Sequence, residues 1–125
     1  MTNDDLQRLE NATDGLAAYE YIANHIDRID AATLGKVIDL LMRADLNGQF
    51  SVSAARYLNA INPVANAEPI DRLVKGAIER DRERRYIGDL LESIWGKDYK
   101  ERAAELTASD DNFRRIYKRV FPDRL

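Results

Sequence analysis

Two arginine-rich stretches hold the side chains of this sequence best suited to chemistry. The first contains Arg80, Arg82, Arg84 and Arg85, and the second Arg114, Arg115, Lys118 and Arg119. Arginine is among the residues that most often anchor interfaces, so these clusters are the first candidates for a contact surface. In the first, Glu79, Asp81 and Glu83 alternate with the arginines and offset much of their field. In the second, Phe113 and Tyr117 interleave the cations, a combination suited to stacking the bases of RNA or single-stranded DNA. The competing expectation is that both rings face a core while the cations complement the negative end of a helix. The net charge of −3 favours that expectation, because it supplies no global attraction for a phosphate backbone.

Residues 45–56 are similar to an EF-hand loop. Asp45, Asn47 and Gln49 fall at its first, third and fifth positions, Val52 at the eighth and Ser53 at the ninth. Apolar residues flank it on both sides: Val37, Leu40 and Leu41 before, Tyr57, Ala60 and Ile61 after. The resemblance implies a helix–loop–helix and, in its full form, bound calcium. Two positions depart from it. Phe50 stands where the sharp turn wants glycine, and Arg56 stands where a bidentate glutamate completes the calcium shell. A guanidinium there repels the ion, so the expectation is a helix–turn–helix corner without calcium.

Other chemistries find no support. His25 is the only histidine, and metal sites need two or more such ligands close together. With no cysteine, disulfides, zinc thiolates and cysteine nucleophiles are excluded. There is no G-x-S-x-G, no P-loop and no G-x-G-x-x-G. The 22 acidic residues are spread along the chain at positions that capping, helix dipoles or solvation explain. No catalytic residue, cofactor or metal is therefore assigned.

The elements that must position the arginines follow from apolar spacing. Leu16, Tyr19, Ile22, Ala23, Ile26 and Ile29 recur at helical steps, as do Leu34, Val37, Ile38, Leu41 and Met42 behind an Asp30 cap. Asn47-Gly48 marks a turn. A further helix with Ala54, Leu58 and Ile61 on one face ends at Asn62-Pro63. One long helix is expected over residues 69–95, started by Pro69 and stopped by Gly96. Its apolar residues, Ile70, Leu73, Ala77, Ile87, Leu91 and Ile94, stay in phase across a polar centre where Arg80 and Arg84 take the intervening positions. A break within residues 79–86 would contradict this. Asn3 and Ser109 are the expected caps of the first and last helices, and Phe113, Ile116, Tyr117 and Val120 face inward.

Residues 1–125 are thus expected to form a single all-α domain, a compact bundle of about six helices. Residues 1–66 hold five basic and nine acidic side chains, and residues 67–125 hold fourteen and thirteen, a mild asymmetry. The N-terminus lacks the basic and apolar regions of a signal peptide, and no run approaches the roughly 18 apolar residues of a membrane span, so a cytoplasmic protein is expected. The expected function is a non-enzymatic interaction or regulatory module. Its candidate surface is Arg80, Arg84, Arg85 and Tyr86, meeting another protein or a second copy in a homodimer. The alternatives are nucleic-acid binding by the basic C-terminal helix and an enzyme with a site between helices.

Overall fold

The helices form where capping side chains meet apolar stripes. The computed structural model describes residues 1–124, and among these it shows eight α-helices and no strand: α1 (Asn3–Glu10), α2 (Leu16–His25), α3 (Ala31–Ala44), α4 (Gln49–Ile61), α5 (Ala67–Arg80), α6 (Asp89–Trp95), α7 (Ala103–Ser109) and α8 (Asp111–Val120). Thr2, not Asn3, caps α1: its Oγ1 accepts from the Asp5 N–H at 3.0 Å, and the Asp5 carboxylate accepts from the Thr2 N–H at 3.3 Å. Asp30 caps α3 as expected, accepting from the Thr33 N–H at 2.7 Å. That bond holds the Asp30 carboxyl below the usual carboxylate range. Asp110, one residue beyond Ser109, caps α8 by accepting from the Phe113 N–H at 3.1 Å.

The apolar stripes converge on one core, in which Ile22, Ile38, Leu41, Leu58, Leu73, Ile78, Phe113 and Ile116 are fully buried. The most extensive contact between helices is that of α4 with α5, and α8 closes the bundle against α5, α6 and α7. No helix of the described residues is long and apolar enough to cross a membrane.

The expected long helix over residues 69–95 is broken. α5 stops at Arg80 and α6 starts at Asp89. The cause is Asp81, which is only 2% exposed. In a continuous helix the Arg85 N–H would donate to the backbone carbonyl of Asp81. Here it donates to the Asp81 side chain, to Oδ1 at 3.0 Å, while Oδ2 accepts from the N–H groups of Tyr86 at 2.7 Å and Ile87 at 2.8 Å. Aspartate competes with the helical ladder in this way, and three charge-assisted bonds in a buried setting outweigh continuing it. Ile70, Leu73, Ala77, Ile87 and Leu91 are all buried, so the apolar phase locates the core correctly although the path between its halves is a corner. The bundle has eight helices where about six were expected, and this break accounts for one of the added ones by dividing the long helix in two.

Candidate functional site: the basic end of the bundle

The corner at Asp81 has a twin. Asp45 ends α3 as Asp81 ends α5, with similar backbone angles (φ −90°, ψ 79° and φ −85°, ψ 65°). Asp45 is also buried, at 1% exposed. Its Oδ1 accepts from the Phe50 N–H at 3.2 Å, and its Oδ2 accepts from the Ser51 N–H and hydroxyl, both at 2.7 Å. In both corners the carboxylate serves the amides five and six residues ahead, and the third residue after it is left-handed: Gly48 (φ 83°) and Arg84 (φ 52°). The two corners pack together. A Cβ on Gly48 would lie 3.3 Å from the Asp81 Cβ and 3.4 Å from the Ala77 Cα, a tight approach, and its positive φ favours glycine there.

This geometry also explains what became of the EF-hand likeness. α4 begins at Gln49, so the loop is a tight turn rather than a twelve-residue loop. Both Asp45 oxygens are engaged by N–H and O–H donors, and an ion there would have to displace three hydrogen bonds. Among the described residues no group of three or more His, Asp or Glu side chains is placed to hold a metal. His25 stacks on Tyr21 with ring centroids 3.9 Å apart, and its Nδ1 donates to the Tyr21 carbonyl at 2.8 Å.

The Asp81 corner brings the two arginine-rich stretches together. Arg119 Nη1 donates to the carbonyls of Ile78 at 2.6 Å and Asp81 at 3.3 Å, satisfying acceptors that the end of α5 leaves open. In return, Arg84 Nη1 donates to the Arg119 carbonyl at 2.9 Å, near the end of α8. Each basic stretch thus ties down the helix that bears the other. Arg82 and Arg115 also lie close to Arg119. Burial chiefly, and then these two cations, hold the Arg119 guanidinium below its ordinary value against the opposing pull of the Asp81 carboxylate, though it stays charged. Among the described residues no carboxylate approaches within 4.0 Å of Arg82, Arg84, Arg115, Lys118 or Arg119.

The four side chains singled out from the sequence do not share a helix face. Arg80 is half-buried and folds back on its own helix, donating to the Gly76 carbonyl at 3.4 Å. Arg84 and Arg85 are exposed on the corner, where Arg85 pairs with Glu83 at 2.8 Å. Tyr86 is half-buried against the core. The structure adds Arg82, Arg115 and Arg119 to the group, with Lys118 beside them on α8. Sequence reasoning saw both basic stretches but had no spacing with which to join residues 35 apart.

The aromatic residues of α8 point the other way. Phe113 is fully buried and Tyr117 nearly so. Phe113 lies at 5.3 Å from Trp95, edge to face, and at 5.2 Å from Tyr117, stacked. Trp95 Nε1 donates to Asp110 Oδ2 at 2.8 Å, which links α6 to the cap of α8. Several concavities lie elsewhere. One, of about 390 Å³, is bordered by Tyr19, Tyr57, Arg56 and Ser93, with Arg56 Nε donating to Ser93 Oγ at 2.9 Å. Another, of about 450 Å³, is lined mainly by apolar residues including Ile26, Ile29, Leu34 and Ile61. Neither gathers a nucleophile beside a base. Comparison of the chain with protein families, curated proteins and solved structures finds no match.

Proposed function

We propose that the protein is a non-enzymatic interaction module that meets a negatively charged partner with the basic end of its bundle. The observation that supports this is the convergence of the two arginine-rich stretches around Arg119, where Arg82, Arg84, Arg115, Lys118 and Arg119 form no ion pair among the described residues. Grouping like charges costs stability, and the chain has acids enough elsewhere to have paired them. Such a patch steers an oppositely charged surface and sets its orientation on contact. The alternative of nucleic-acid binding through α8 lacks a stacking platform, because Phe113 and Tyr117 are committed to the core.

Arg82 and Arg115 make no ion pair, so replacing them leaves the fold within about 0.5 kcal/mol of wild type. Affinity capture from cells with wild type and with the double variant Arg82→Glu/Arg115→Glu tests the proposal. The double variant is expected to lose the partners that wild type retains at low salt. Recovery of the same partners in the same amounts would show that this end of the bundle is not the contact surface.

A further inference from the structure

If the basic end is a contact surface, the geometry of Arg84 says what it contacts. We infer that the partner presents a carboxylate-rich segment of a protein and that Arg84 is its anchor. The twin corner supplies the comparison. Where the left-handed position needs only a backbone, the chain has Gly48; at the matching position it has Arg84, the one non-glycine residue with positive φ among those described. Its guanidinium is the feature that glycine would lack. Arg84 Nη1 is held by the Arg119 carbonyl at 2.9 Å, which fixes the plane of the fork. Its Nε and Nη2 have no protein acceptor among the described residues. Those two atoms form the side-on edge whose spacing matches the two oxygens of a carboxylate.

Phosphate could in principle meet the same edge, but the surroundings favour carboxylates. Glu83 lies on the corner, paired with Arg85 at 2.8 Å, and Glu79 is exposed one turn earlier. These acids break the continuous positive track that a regularly spaced phosphodiester needs, and no aromatic face is open to a base. A few acidic side chains of a protein segment can settle on Arg82, Arg84 and Arg115 while avoiding both.

The test is fluorescence anisotropy with a labelled short Asp/Glu-rich peptide and a labelled single-stranded RNA of equal charge. Wild type is expected to bind the peptide more tightly than the RNA, with an affinity that falls as salt is raised. Arg84→Gly is expected to melt close to the wild-type temperature, because relief of the left-handed backbone offsets the lost bond to the Arg119 carbonyl, and yet to bind the peptide about ten-fold more weakly. Arg84→Lys, which keeps the charge but not the fork, should also bind weakly. Equal peptide binding by wild type and Arg84→Gly overturns the inference, and so does tighter binding of the RNA or no binding of the peptide. If one of these results comes with loss of cellular capture in Arg82→Glu/Arg115→Glu, the surface stands and only the assignment of Arg84 as a carboxylate anchor fails. If capture is also unchanged, the surface itself fails.

Discussion

Asp81→Ala is expected to destabilise the protein by about 3–5 kcal/mol, because three backbone donors lose their acceptor at once and each buried orphan costs roughly 1–3 kcal/mol. The three are not equivalent. The Ile87 N–H is buried and stays unpaired, whereas those of Arg85 and Tyr86 are partly buried and recover some hydration. The loss also spreads, since the Asp81 backbone carbonyl accepts from Arg119, which ties α8 to the end of α5. Asp81→Asn should recover part of this: its amide oxygen can take the Oδ2 place and accept from Tyr86 and Ile87, while its NH₂ is left facing the Arg85 N–H. Urea unfolding of wild type and both variants checks this. A cost under about 1 kcal/mol for Asp81→Ala would mean that the corner is held by something other than this carboxylate.

Phe113→Ala should cost a similar amount, about 3–5 kcal/mol. Phe113 is fully buried and contacts the rings of Trp95, Tyr99 and Tyr117, so truncation opens a cavity and removes aromatic pairings worth roughly 0.5–1.5 kcal/mol each. Thermal unfolding followed by the fluorescence of Trp95, the single tryptophan, reads both the stability and the loosened contact. Phe113→Leu should cost markedly less, because it keeps most of the volume. A Phe113→Ala variant as stable as wild type, with unchanged Trp95 emission, would show that α8 does not dock through this ring. That docking matters for the proposed surface, since it sets where Arg115, Lys118 and Arg119 stand.

The two corners show why one was legible in the sequence and the other was not. At residues 45–48 the left-handed position is glycine preceded by asparagine, a turn marker that sequence reasoning recognises. At residues 81–84 the same geometry is written with charged residues alone, Asp-Arg-Glu-Arg, which are ordinary inside a helix. The flanking apolar residues kept their phase across the gap because both halves serve one core, so periodicity could not reveal the break. What decides it is tertiary: Asp81 is buried against Gly48 and can therefore compete for the amides ahead of it. The cap at Asp30, the stripe of α3 and the inward face of α8 needed only local chemistry, and each was legible. The basic surface was half legible, since its side chains were plain and their convergence depended on that unseen corner.

The most direct measurement of the central claim is an amide chemical-shift titration of isotope-labelled protein with the acidic peptide. The account predicts that residues 82–86 and 115–119 shift together, with one common affinity, and that both sets lose their response in Arg82→Glu/Arg115→Glu. Shifts confined to one stretch, to the apolar groove at Ile26, Ile29 and Leu34, or to the Arg56–Ser93 cleft would contradict it.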